Sequence, residues 1–139
     1  MVHIPSDVMA RFLTQATLIK VAMGKQHGLN AFQFLALVLV GGTEWLSLKD
    51  LKASLSVPGS TLTFTVDSLE KKGLVKRRQG KEDRRQWFLS LSPKGRRLYQ
   101  RVLKAETDAV LPLFEGFSEP EKAAFLKLAE GMSRVSAST

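Results

Sequence analysis

The stretch from Val57 to Leu91, VPGSTLTFTVDSLEKKGLVKRRQGKEDRRQWFLSL, admits few foldings. Leu62, Val66 and Leu69 are spaced four and three residues apart, so a helix gathers them on one face with Thr65 at its border. That face should be buried. The opposite arc holds Ser60, Thr63, Phe64, Asp67 and Ser68, mostly short side chains that let another surface come close to the backbone. Gly73, after Lys71 and Lys72, stands where a left-handed C-terminal cap is wanted. Beyond it, Leu74 to Gln79 and Gln86 to Leu91 read as strands around the charged loop Gly80 to Arg84. In the second run Trp87, Leu89 and Leu91 alternate with Phe88 and Ser90, as a half-buried strand requires.

Just upstream, Ser47 precedes a short amphipathic run with Asp50 three residues later and apolar residues at Leu48, Leu51 and Leu55. Two short helices, a tight turn and a hairpin make a winged helix-turn-helix, so the expected class is mainly α with a small β-hairpin wing. The flanks are helical too. Ser6 is a candidate N-cap for a helix over 6–26, with Met9, Phe12, Leu13, Ala16, Ile19 and Met23 at helical spacing. Gly28 ends it, and Asn30 with Gln33 opens a second helix, Ala31 to about Val40, apolar on nearly every side and expected in the core. Ser92 and Pro93 begin a long helix expected to reach about Glu115, with a kink near residue 108 caused by Pro112. Ser118, Pro120 and Glu121 start a last helix to about Arg134, and Ser136 to Thr139 should fray.

Charge adds a direction. The net charge is +8, but residues 71–101 alone hold twelve Lys or Arg against Glu82 and Asp83, while the remainder is slightly acidic. A solvated basic surface is the bland alternative. Coincidence with a helix-turn-helix and wing favours nucleic acid. The 139 residues suit one domain, and the absence of cysteine excludes disulfides, thiolate metal sites and cysteine redox switches. With His3 and His27 as the only histidines and no phosphate loop, neither an enzyme nor a cofactor or metal site is expected. The longest apolar run, Phe34 to Val40, is too short for a membrane span, so a cytoplasmic protein without a membrane partner is expected.

Five fragments resemble the multiple antibiotic resistance regulator (MarR) family in order and spacing. They are Leu29 to Phe34, Ser47 to Leu51, Leu69 to Val75, Asp83-Arg84-Arg85 and Leu91 to Gly95. The resemblance implies one MarR-like domain over 1–139, with a winged core at 29–98 and dimerisation helices at 6–26 and 93–134. It implies a homodimeric regulator of double-stranded DNA, often a repressor on a pseudo-palindromic operator, and often released by a small aromatic or phenolic ligand. Phe12, Leu13, Leu111, Leu113, Phe114, Phe117, Phe125 and Leu128 would then be covered by the second copy.

Recognition-helix candidates are Ser60, Thr61, Thr63 and Phe64, with the first two hydroxyls able to hold a phosphate at the helix start. Relatives often carry arginine at positions 59 and 64 and a serine cap at 58; here they are Gly59, Phe64 and Pro58. Direct guanine reading by an arginine from this helix is thereby lost, while Phe64 could meet thymine methyl groups or pack on a neighbouring helix. In the wing, the resemblance implies that Asp83 braces Arg85 for the minor groove, with Lys76, Arg78, Lys81 and Arg84 meeting phosphates. A surface ion pair is the plain alternative for Asp83 and Arg85. Met23, His27 and Phe34 are candidate lining for an effector cavity. A winged module for nonspecific DNA binding or protein contact is the competing reading.

Overall fold

Glycine decides where two of the helices stop. In the computed structural model, which describes residues 1–135, helix α1 covers Ser6–Gln26 and Gly28 follows at φ +71°. The Gly28 N–H donates to the Lys25 carbonyl and the Leu29 N–H to that of Gly24, so the orphan carbonyls of the last turn are satisfied. Ser6 is not the cap expected of it: Pro5 occupies that position without a side-chain hydrogen bond, and the helix is already under way at Ser6. The expected fraying of Ser136 to Thr139 lies outside the described residues.

Helix α2, Ala31–Gly41, opens with the reciprocal cap read from the sequence. The Gln33 N–H donates to Asn30 Oδ1 and the Asn30 N–H to Gln33 Oε1, both at 2.9 Å. Phe34, Ala36, Leu37 and Val40 are buried, but Phe32 and Leu39 are exposed, so α2 gives only one side to this chain's core. A short strand β1, Leu46–Ser47, leads into α3, Leu48–Leu55, which Ser47 caps through its side chain and the Asp50 N–H at 3.0 Å. This strand was not expected. Helix α4, Gly59–Lys71, buries Leu62, Thr65, Val66 and Leu69, so Thr65 is part of the inner face and not its border.

Gly73 at φ +73° ends α4 as expected, its N–H donating to the Glu70 carbonyl and that of Leu74 to the Leu69 carbonyl. The chain returns through β2, Val75–Gln79, and β3, Trp87–Leu91, an antiparallel pair in which Val75 faces Leu91 and Arg77 faces Leu89. Strand β1 adds to the other edge of β3, giving the order β1-β3-β2. The half-buried alternation predicted for β3 does not occur; burial instead rises along the strand. Leu89, Ser90 and Leu91 are all buried, whereas Trp87 lies beyond the core at the loop end of the hairpin and is 41% exposed.

Helix α5, Pro93–Val110, starts on the Ser92 cap, whose Oγ accepts from the Gly95 N–H at 3.0 Å. The predicted continuation to Glu115 with a kink does not occur. The α-helix ends at Val110, and Leu111–Phe114 wind as one 3-10 turn, because Pro112 has no N–H for the Asp108 carbonyl. Helix α6, Glu119–Met132, follows with the Ser118–Glu121 capping box in place. The chain divides into two units at Val102. In the first, Leu29, Phe34, Leu37, Leu51, Val66, Leu69, Leu74, Val75, Leu89, Leu91, Leu98 and Val102 share one core. In the second, Phe114 meets Phe117 and Phe125 edge-on, with ring centres 5.1 and 4.7 Å apart, and α6 has no buried residue.

The first turn of α5 lies directly against the backbone of Leu74, where a Cβ on Gly95 would run into the Leu74 carbonyl oxygen. Alanine would gain up to about 1 kcal/mol of helix propensity there, but overpacking against a fixed carbonyl costs about 1 to 3 kcal/mol or more. Gly95→Ala should therefore be destabilising overall. A denaturant midpoint equal to or above the parent's would contradict the packing described.

Candidate nucleic-acid interface

The exposed arc of α4 is smaller than its residue spacing suggests. Ser60, Thr63 and Phe64 are exposed, Phe64 at 65%, and Thr61 is half-buried. Phe64 therefore does not pack on a neighbouring helix of the same chain. The Thr63 hydroxyl donates to the Gly59 carbonyl at 3.0 Å, leaving its lone pairs outward. Pro58 is at the N-cap with no side-chain cap, so the first amide groups of α4 have no side-chain acceptor there. Ser68, placed on this arc by spacing, is half-buried and its hydroxyl is engaged within the chain. Its Oγ accepts from Gln33 Nε2 and donates to the Thr65 carbonyl, both at 2.8 Å, tying α4 to the start of α2.

At the hairpin tip Asp83 and Arg85 form the pair that the family resemblance implies. Arg85 Nε and Nη2 donate to Asp83 Oδ1 and Oδ2 at 3.1 and 3.2 Å, and the Arg85 backbone N–H donates to Oδ1 at 3.0 Å. The two-pronged geometry fixes the guanidinium plane while its side chain stays 91% exposed. These bonds from Arg85 hold the Asp83 carboxyl below the usual aspartate range, side chain first and backbone second. The loop itself is closed by the Gly80 N–H on the Gln86 carbonyl at 2.8 Å and the Gln86 N–H on the Asp83 carbonyl at 3.1 Å. Asp83 and Arg85 border a groove of about 390 Å³ with Ser47, Leu48, Lys49, Gln86 and Trp87, so the tip and the start of α3 share one surface.

The remaining cations have different surroundings. Lys81 and Arg84 are exposed, and the Arg84 carbonyl accepts from Gln79 Nε2. Arg78 lies over the Trp45 ring, 4.1 Å from its centre, with the Lys76 ammonium 5.7 Å away, so both are steadied by an aromatic face. Sequence reading missed Trp45, Lys49 and Trp87. It also missed Arg77, which the strand alternation places on the inner face with Val75 and which pairs with Asp67 and Glu70 of α4.

The three candidate effector residues do not form one lining. Phe34 is fully buried in the core, because α2 turns that position inward, and Met23 packs partly buried against the same core. His27 instead borders a cleft of about 260 Å³ with Leu29, Lys72, Leu74, Lys94, Leu98 and Arg101. Three cations and three leucines make that cleft basic with an apolar floor, not the apolar cavity expected. Among the described residues no cluster of metal-ligating side chains occurs, and no helix is long and apolar enough to cross a membrane.

A model of the MarR family matches residues 29–87. The transcriptional repressor MprA of Escherichia coli is 31% identical over 102 residues, covering 72% of this chain and 58% of that protein. The chain thus spans under two thirds of the length of that relative. Among solved structures, a MarR protein from Peptoclostridium difficile superposes with a TM-score of 0.74 at 26% identity, covering 96% of this chain and 91% of that one. Streptococcus pneumoniae FabT, solved in complex with DNA, superposes with a TM-score of 0.73 over 92% of each chain, and at 21% identity it speaks for the fold.

Because the folded pKa of Asp83 is depressed, the ordering that the Arg85 pair contributes is present above the unfolded value, about 3.9, and is lost as pH falls through the folded one. The wing tip should therefore be fully braced at neutral pH. NMR titration should find the Asp83 carboxyl below an ordinary aspartate and shifted back upward in Arg85→Ala; an unchanged value in that variant would remove the pair.

Proposed function

The chain belongs to the MarR family, and on that premise we propose that it is a sequence-specific regulator of transcription that binds double-stranded DNA as a homodimer. The observation that most supports this is Arg85, a solvent-facing guanidinium already fixed by Asp83 inside the region that holds the chain's whole excess of positive charge. Arginine suits a narrow minor groove, where the potential is deepened and a weakly hydrated cation is favoured. Arg84, Lys81, Lys76 and Arg78 supply phosphate contacts, and the start of α4 brings Ser60, Thr61, Thr63 and Phe64 to the major groove. Phe64, exposed and without a same-chain partner, meets thymine methyl groups.

The protein works as a cytoplasmic repressor, in keeping with MprA, a transcriptional repressor by name. The dimer is formed by residues 6–26 and 93–134, whose Phe12, Leu13, Leu111, Leu113, Phe117, Phe125 and Leu128 are exposed in the single chain. A two-fold dimer presents its two α4 helices to half-sites about one helical turn apart. A small aromatic acid releases it from the cleft beside His27, where Lys72, Lys94 and Arg101 meet a carboxylate and the leucines a ring. Lys94 Nζ also donates to the Lys72 carbonyl at 2.9 Å, so a bound carboxylate competes for a contact that holds the end of α4.

Fragments of the promoter next to the protein's own gene should be retained against scrambled competitor, with affinity falling steeply as salt rises. Arg85→Ala should weaken that binding about tenfold or more with no change of fold. Equal affinity for Arg85→Ala and parent would remove the wing assignment, and equal loss to scrambled DNA would favour a nonspecific module. Titration with hydroxybenzoic acids should raise the melting temperature by mass action and lower operator affinity. No shift in either, or the same shift in Lys94→Ala, would exclude the His27 cleft.

A further inference from the structure

Between Gly59 and Glu70, the only charged side chains on α4 are Asp67 and Glu70. Asp67 falls four residues after Thr63 and three after Phe64, on the arc that the proposed reading turns toward DNA. A free carboxylate there would lie well within the screening length, about 10 Å at 0.1 M salt, of the phosphates flanking the groove. A recognition helix whose only charges before Lys71 are acidic has a problem to solve.

The solution comes from β2. Arg77 Nε donates to Glu70 Oε2 at 3.2 Å, and Arg77 Nη2 donates to Asp67 Oδ1. The arginine faces Leu89 across the sheet and is 27% exposed, against 55% and 46% for Asp67 and Glu70. Its stem is thus held between strand and helix, and its fork is occupied by two carboxylates. It differs in this from Arg85, which is nearly fully exposed. We infer that Arg77 is a positioning residue for DNA recognition, holding Asp67 and Glu70 toward the wing so that α4 can approach phosphate without two free carboxylates. The inference rests on the DNA-binding reading above. It accounts for how this helix works with Gly59 and Phe64 and no basic residue before Lys71. The same clamp joins α4 to the wing, so the two DNA-facing elements move together.

The test is a double-mutant cycle on the full-length chain, using the promoter duplex that the parent retains and a scrambled duplex of equal length. Arg77→Gln should weaken specific binding about tenfold or more at low salt, with the deficit shrinking as salt rises. Asp67→Asn should change affinity less than about threefold in the parent but restore most of the loss in Arg77→Gln. An equal gain from Asp67→Asn in both backgrounds would overturn the inference, since charges that merely add do not couple. So would an Arg77→Gln variant that binds like the parent, or one that Asp67→Asn cannot rescue, which would mean that Arg77 meets phosphate itself. Melting temperatures separate a folding effect from these outcomes. If Arg77→Gln does not fold, Arg77→Lys serves in its place, keeping the charge and losing the fork, and must show the same coupling with a smaller loss. A parent that prefers no promoter duplex overturns the DNA-binding reading itself, whereas a binding parent without coupling overturns only the clamp.

Discussion

The carbonyl groups at the end of α4 are received by the beginning of α5. Gly73 takes a left-handed φ of +73° and turns the chain out of the helix; its carbonyl then accepts from the Ser92 hydroxyl, and the Lys72 carbonyl from Lys94 at 2.9 Å. The Ser92 N–H donates to the Leu74 carbonyl at 3.0 Å, and Gly95 leaves room for that backbone to lie against α5. One left-handed residue thus satisfies the end of one helix, starts the wing and docks the next helix. The end of α4 is thereby tied to the start of α5, and in the proposed reading this tie is the route by which a ligand beside Lys72 and Lys94 would act on the DNA-facing residues of α4.

The basic cluster is one feature of the sequence but several in the structure. Arg77 is consumed by two carboxylates, Arg78 and Lys76 lie on Trp45, Lys94 holds a backbone carbonyl, and Arg96 donates to the Gly41 carbonyl at 3.1 Å. Arg85 alone of these combines a two-pronged carboxylate partner with nearly full exposure. Counting cations indicates the kind of partner, because long-range potential follows the sum. Assigning roles needs the geometry, since a guanidinium facing a buried stem and two acids is a structural group whatever its sequence neighbours.

Local signals were read well where they are self-contained. The Asn30–Gln33 box, the Ser47 and Ser118 caps, the helix stop at Gly28 and the left-handed Gly73 involve residues within a few positions of one another. The Asp83–Arg85 pair, which the family resemblance implied, is local as well, two residues apart in a tight loop. Errors came where a distant element decides. Ser68 is on the open arc by period but is captured by Gln33, thirty-five residues away, and Phe34 is core because α2 rolls it inward. Strand β1 was missed because two residues carry no period, and its pairing with β3 is visible only once the hairpin is built. The end of α5 at Val110 shows that Pro112, which has no N–H to continue the α-helix, switches the chain to a 3-10 turn.

What the chain's order of residues determined by itself was the main helices, most of their caps, the two strands of the wing and the region of positive charge, features that depend on residues close in sequence. Tertiary structure alone decided which polar side chains remain available to a partner. Asp67, Ser68 and Arg77 look free by period, and each is taken by a residue on another element. The reason is physical: helical and strand periodicities fix the direction of a side chain about its own axis, but occupancy depends on what the fold brings to that side.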